Sequence, residues 1–348
     1  MDSGCPRGWA RLVRMNGAKV KPDELNLIKL AREYADEDKA RKLFESWRWP
    51  GGKPICPHCQ HNEAYKIESK LETKNKVRLG LYCCAACRKT FTATVGTVLE
   101  DSHIPISKWL IAIFILCSSK KSVSASQLHR MIGVSYKTAW FMAHRIRFAM
   151  TPNHRAEPKL TGTVEVDETF VGGKGDGRTR FTRQSPVVAL VERGGIARVQ
   201  VIASVTQKNL GAALQECVDQ SAVVNTDEHP SYKNPLKAWK AHHAVNHSRG
   251  EYQRKNDDGS IASINTAESF FSLLKRGIVG AWHHISREHL PKYANEFAFR
   301  WSQRNITDGE RLQRFVPLIA NKRITYRARS QSNGNTALPL LSSHFLHL

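Results

Sequence analysis

Gly162-Thr163-Val164-Glu165-Val166-Asp167-Glu168-Thr169-Phe170-Val171 is the stretch on which the fold turns. Its apolar and polar residues largely alternate, the period of a β-strand whose two faces meet different surroundings. An aspartate inside such a β-favouring run is locally costly. Asp167 is explained if its carboxylate binds a metal; otherwise the stretch is an edge strand with a solvated acidic face. Glu165 lies on the same face, and the pattern does not choose between the two acids.

Downstream, apolar runs predict strands over 187–192 and 197–204, a helix over 207–218, and a strand over 222–226 that ends at Asp227. Strand, strand, strand, helix, strand is the opening of an RNase H-like fold, whose first and fourth strands are neighbours. That order brings Asp167 and Asp227 together. A third acid must come from a later helix, and 267–276 offers one. Ala267, Phe271 and Leu274 can face a core there. Glu268 and Lys275, seven residues apart, lie on one side. Taken alone they read as a solvated helix face; beside two aspartates they suit phosphate chemistry. A further helix over 290–301 carries a core stripe of Leu290, Tyr293, Phe297 and Trp301, with Pro291 tolerated in its first turn.

Gly172-Gly173-Lys174 and the arginines Arg178, Arg180 and Arg183 form a basic connection after the first strand. The Gly-x-x-x-x-Gly-Lys frame of a nucleotide-phosphate loop is absent. The segment reads as a hairpin tip able to grip DNA phosphates.

Upstream, Cys56-Pro57-His58-Cys59 and Cys84-Ala85-Ala86-Cys87 are two Cys-x-x-Cys knuckles separated by 24 residues. Each knuckle supplies two thiolates, and two knuckles close a tetrahedron around Zn²⁺ with no open position, which makes the site structural. Strands over 64–67 and 77–82 suit the intervening hairpin. Cys83 and His58 are spare donors set aside in favour of Cys56, Cys59, Cys84 and Cys87. Residues 25–47 read as one helix, and the apolar run 109–117 as a buried one, being far shorter than the ~20 residues of a membrane span. Residues 124–132 and 136–148 read as two helices joined by Gly133-Val134-Ser135, with Ser135 as N-cap. The second helix puts Ala139, Met142, Ala143 and Ile146 inward, and Lys137, Thr138, His144 and Arg145 outward with Arg147 at the edge. This is the layout of a helix-turn-helix that offers Lys137 and Arg145 to a DNA groove.

Among 348 residues, 53 Lys and Arg face 31 Asp and Glu, a net charge of +22 with histidines neutral. Such a balance favours polyanionic partners. The hydrophobic share of 41% is enough for a buried core, so wholesale disorder is excluded. No secretory signal or membrane span is expected, and five cysteines clustered in 56–87 point to metal in preference to disulfides. The paired histidines His242-His243 and His283-His284 read as DNA-facing or partly buried groups. The divisions are a helical lead-in (1–50), a zinc ribbon (51–100), a helical helix-turn-helix region (101–155), a catalytic domain (160–325) and a loosely ordered tail (326–348). The expected class is thus multidomain α/β: zinc ribbon and helix-turn-helix followed by an RNase H-like mixed-sheet catalytic domain.

These strings resemble the ISXO-like insertion-sequence transposases. The first motif is Val164 to Lys174; the second is Asn225-Thr226-Asp227-Glu228-His229. The third is Asn265-Thr266-Ala267-Glu268-Ser269-Phe270-Phe271-Ser272-Leu273-Leu274-Lys275-Arg276-Gly277. The likeness continues through Gly280-Ala281-Trp282-His283-His284-Ile285-Ser286 and Glu296-Phe297-Ala298-Phe299-Arg300, spanning about 50–304. Phe271 stands where the family often has an indole. The resemblance implies a DDE-type transposase in which Asp167, Asp227 and Glu268 hold Mg²⁺ (or Mn²⁺) and Lys275 contacts DNA near the cleaved bond. Lys137, Arg145, Lys174, Arg178, Arg180 and Arg276 complete the candidate DNA contacts. Two ions about 3.5–4 Å apart would serve first water and then a freed 3′-hydroxyl as attacking groups. The partners implied are the terminal inverted repeats and target DNA, with a homo-oligomer on DNA and a bacterial, cytoplasmic, nucleoid-associated setting. The rivals are a domesticated DNA-binding regulator, and a nuclease or resolvase on the same fold that cuts without joining.

Overall fold

The computed structural model describes residues 25–68, 79–154, 156–173, 184–246, 249–256 and 259–324. The start of the lead-in, the basic loop with Lys174, Arg178 and Arg180, and the tail 326–348 lie outside the described residues.

Strand β4 (Thr163–Gly172) is the centre of a five-stranded sheet. Beside it run β5 (Gln184–Glu192), β6 (Ala197–Val201), β7 (Val223–Asp227) and β8 (Ala241–Val245). The order across the sheet is β6-β5-β4-β7-β8. β5 is antiparallel to β4 and β6, while β4 pairs parallel with β7, and β7 with β8. The first and fourth strands are therefore neighbours, as the element order implies. Strand β8 was not foreseen. His242 lies in it, and its Nε2 sits 2.8 Å from the Thr226 hydroxyl on β7, so this histidine is part of the sheet's own bonding.

Both faces of the sheet are covered. On one, Val164, Val166, Val188 and Leu190 pack with Leu210, Ala213 and Leu214 of helix α6 (Gln207–Cys217). Thr206 caps that helix, its hydroxyl accepting from the Asn209 amide. β6 ends at Val201, earlier than the apolar run suggests. On the other face, Val171, Val187, Ala189, Val191 and Val199 meet helix α7 (Asn265–Gly277) and helix α8 (Leu290–Ser302) through Ala267, Phe270, Phe271, Leu274 and Phe297. Full burial of an aromatic or aliphatic side chain of this size contributes roughly 1.5–3 kcal/mol.

The amino-terminal body is built from helices. The single helix expected over 25–47 is two, α1 (Leu27–Glu33) and α2 (Glu37–Arg48). Asp36 breaks it by turning its carboxylate to the Lys39 amide, an N-cap that only a new helix can use. Next come β1 (Ala64–Ile67), β2 (Leu81–Cys84) and β3 (Thr90–Phe91) in a small antiparallel sheet. Helix α3 (Ile106–Ser118) is buried along most of its length, as its apolar run requires. Helices α4 (Ala125–Ile132) and α5 (Tyr136–Met150) follow. Gly133 ends α4 at φ 62°, and the Ser135 hydroxyl accepts from the Thr138 amide at 3.2 Å. Phe299, Leu312, Phe315, Val316 and Ile319 join the core of this body, so residues 299–319 pack back onto the helices of the amino-terminal body.

One expected surface is corrected. His144, Arg145 and Arg147 do not face outward; all three are buried. Helix α5 is gripped by α3 and α4 on one side and by α8 on the other, so only its first turn, with Lys137, reaches solvent. Arg145 gives Nη1 to the carbonyls of Val98 and Glu100, both at 2.9 Å. It is a structural cross-link and presents nothing to a DNA groove.

Candidate active site

Asp167 lies near the middle of β4 and is half-buried. The parallel register pairs Thr163 with Val223, Val164 with Val224 and Glu165 with Asn225. Continued by two residues, it puts Asp227 in the same row as Asp167, on strands about 4.8 Å apart. Each carboxylate is oriented by a nearby amide: Glu168 N donates to Asp167 Oδ1 at 2.9 Å, and His229 N to Asp227 Oδ1 at 3.0 Å. Glu268, in the first turn of α7, adds a third half-buried acid. Burial, then the charge of Glu168, push the Asp167 carboxyl up to about 7; the Glu168 amide opposes this, and Asp227 and Glu268 add to it. Among the described residues, neither Asp167 nor Asp227 forms an ion pair with a cationic side chain.

A half-buried set of acids that offers only oxygen donors is the environment that a hard divalent cation stabilises. Asp167 feels the charges of Asp227 and Glu268, yet the three do not form a tight group as the cysteines do. This suits Mg²⁺, which keeps several waters and needs only a few carboxylates. Lys275 and Arg276 are exposed on α7, one and two residues beyond the buried Leu274.

Glu165 and Asp167 were indistinguishable by pattern, and the structure separates them. Glu165 is fully buried and saturated with donors. Arg193 gives it Nη2 at 2.8 Å and Nε at 3.0 Å; Thr266 gives its amide at 2.6 Å and its hydroxyl at 2.9 Å; Ala267 gives its amide at 3.2 Å. No lone pair is left over for a metal. Glu168, on the opposite face, accepts from the Tyr232 hydroxyl, and burial raises its carboxyl above the ordinary range. Nothing in the sequence around Tyr232 signals that contact, because it joins residues 64 apart.

The second centre is the cysteine cluster. Ligand atoms of Cys56, Cys59, Cys84 and Cys87 all lie within 4.8 Å of one another. Cys56 Sγ is 3.7 Å from Cys87 Sγ, and Cys59 Sγ is 3.5 Å from Cys84 Sγ. A tetrahedron with Zn–S bonds of ~2.3 Å has edges of about 3.8 Å, so the residues fit structural Zn²⁺. Cys83 turns away toward the Cys84 and Arg88 carbonyls, and His58 is exposed. Among the described residues this is the one such tight group of metal donors, and the paired histidines form none. No helix among them is long and apolar enough to cross a membrane.

A mixed sheet with three acids gathered on adjacent elements, behind a four-cysteine ribbon, defines the class of zinc-ribbon proteins with an acid-bearing α/β domain. Residues 159–302 match the ISXO2-like transposase domain, and residues 35–90 the transposase zinc-ribbon domain. Over these two stretches the chain is thus similar to the ISXO2-like transposases. The ribbon match starts at residue 35, just ahead of α2 and earlier than the boundary expected at residue 51. The chain is also similar to an "uncharacterized protein in transposable element ISH50" of Halobacterium salinarum. The two are 29% identical over 290 residues, covering 77% of this chain and 92% of that one.

Proposed function

We propose that this transposase nicks the ends of its element and joins the freed 3′-hydroxyl to target DNA on an RNase H-like domain. The observation that carries the reading is the parallel pairing of β4 with β7, whose register, continued by two residues, sets Asp167 beside Asp227. Strand order supports it: counted within the domain, the sheet runs 3-2-1-4-5 with only the second strand reversed.

Asp167, Asp227 and Glu268 would hold Mg²⁺ or Mn²⁺, which when bound supplies activation of the attacking oxygen and stabilisation of the leaving 3′-oxygen. The side chains do the rest. Asp167 and Asp227, fixed on neighbouring strands, set the line of displacement. Exposed Lys275 and Arg276 on α7 neutralise phosphates beside the scissile bond. Lys174, Arg178 and Arg180 are assigned to the same DNA. Helices α4 and α5 act as a helix-turn-helix whose exposed first turn of α5, with Lys137, approaches the duplex. The ribbon is a structural support held by Zn²⁺. The protein works in the cytoplasm on nucleoid DNA, as a homo-oligomer that holds two element ends together.

Asp167→Ala tests the reading. The variant should bind a duplex of the flanking inverted repeat as the wild type does and yield no strand-transfer product in Mg²⁺. Full joining activity in Asp167→Ala refutes the assignment. Nicking without joining by the wild type would make the protein a nuclease.

A further inference from the structure

We infer that Glu165 and Glu168, the two acids flanking Asp167 on β4, are positioning residues that hold the elements bearing Glu268 and Asp227. The inference rests on reading Asp167, Asp227 and Glu268 as divalent-cation ligands.

The two ties are independent and leave β4 on opposite faces. On the α7 face, Glu165 accepts from the amides of Thr266 and Ala267, the second and third residues of α7. Glu268 is the next residue. An anion at a helix N-terminus satisfies orphan amides and meets the positive end of the helix dipole. Arg193 donates two hydrogen bonds to this buried carboxylate, and its Nη1 donates to the Ile261 carbonyl at 2.8 Å. The strand leading into α7 is thereby held as well. Asp167 and Glu268 are set relative to each other by a carboxylate two residues from one and two amides adjoining the other.

On the α6 face, Glu168 accepts from Tyr232, which is only 1% exposed. Tyr232 ends the short 3₁₀ turn Pro230–Tyr232 that follows Asp227. His229, the N-cap of that turn, gives its amide to Asp227. Glu168 thus anchors the turn that orients Asp227 to the strand that carries Asp167. Partners that orient metal ligands typically change metal affinity 10–100-fold when removed.

The experiment is a Mn²⁺ titration of the full-length zinc-loaded protein, followed by the electron paramagnetic resonance of free Mn²⁺, with thermal unfolding in parallel. Asp167→Asn should abolish the site; if it does not, the reading of the acids as ligands fails, and the inference with it. Tyr232→Phe removes one hydroxyl and should weaken Mn²⁺ binding about 10-fold or more while the protein stays folded. Glu168→Gln can still accept from Tyr232 and should keep near-wild-type affinity, whereas Glu168→Ala should match Tyr232→Phe. Thr266→Val, which removes one donor to Glu165, should also weaken binding and serves if Glu165→Gln does not fold. Wild-type Mn²⁺ affinity in both Tyr232→Phe and Thr266→Val, with none in Asp167→Asn, overturns the inference. Equal loss in Glu168→Gln and Glu168→Ala also overturns it, because Glu168 would then be a ligand.

Discussion

Arg147 and Glu296, 149 residues apart in sequence, form an ion pair shut off from water: Nε donates to Oε2 at 2.7 Å, with side chains 1% and 0% exposed. The other Glu296 oxygen accepts from Ser122 Oγ at 2.6 Å and from Arg300. Arg147 also donates to the Val123 carbonyl and lies over the Tyr293 ring, 4.2 Å from its centre. The cluster bolts α5 of the amino-terminal body to α8, which covers one face of the five-stranded sheet.

Removing one partner leaves charge stranded in a dry interior. Glu296→Gln leaves two buried guanidiniums with a neutral neighbour, and Arg147→Met leaves the Glu296 carboxylate short of a donor. Each should lower stability by about 3–5 kcal/mol. Urea unfolding followed by tryptophan fluorescence reads this as a lowered midpoint. A change under 1 kcal/mol in both variants would show that the cluster contributes little.

The same seam carries a pH dependence. His144 is fully buried, packed 3.9 Å from the Trp140 ring centre and 4.6 Å from that of His289, with Nε2 3.4 Å from the Tyr293 hydroxyl. Burial, then the Arg147 charge, then His289 and Lys292, hold its pKa far below the ordinary value. Folded His144 stays neutral, while in the unfolded chain it takes a proton below pH ~6.5. The unfolded state therefore binds more protons below that pH, and stability falls as pH drops from ~6.5, with no effect above it. The slope for one histidine approaches about 1.4 kcal/mol per pH unit. Denaturation midpoints from pH 7.5 to 5 should fall more steeply for the wild type than for His144→Phe. Parallel curves would remove His144 as the cause.

Much of the site was legible because its signals are local. A strand with an out-of-place aspartate, a later strand ending in another, and a helix with Glu268 and Lys275 on one side can each be read from a dozen residues. Their neighbourhood follows from strand order. What escaped depends on distant partners. Glu165 and Asp167 differ only in that Glu165 meets Thr266 and Arg193, about 100 and 28 residues away. Arg145 looks like a groove-facing cation until Val98 and Glu100 claim it. Strand β8 has a histidine pair in place of a β-branched run, and only the sheet edge recruits it.

The zinc ribbon should be needed for the stability of the amino-terminal body, because Cys56 and Cys84 are buried in the same core as Trp49, Tyr82 and Phe91. Tyr82, in β2, packs edge-on with Trp49 at 5.4 Å. Elemental analysis should find one Zn²⁺ per chain. Cys56→Ser or prolonged chelation should release it and lower the melting temperature, whereas Cys83→Ser should retain it. Zinc loss from Cys83→Ser with retention in Cys59→Ser would reassign the ligands.

Lys137 and Arg145 lie eight residues apart on one helix and should fail in opposite ways. Lys137 is exposed in the first turn of α5, and on the proposed reading it meets a DNA phosphate. Lys137→Ala should weaken duplex binding on any sequence and flatten the plot of log affinity against log salt by about 0.9. Its melting temperature should not move. Arg145→Ala strands two carbonyls that now accept from Nη1, at a cost of about 1–3 kcal/mol. The salt slope of whatever remains folded should then equal that of the wild type, because a buried guanidinium displaces no counterions. Fluorescence anisotropy at several salt concentrations, with melting curves on the same samples, separates the two behaviours. A lowered salt slope in Arg145→Ala at unchanged stability would return that arginine to the DNA surface.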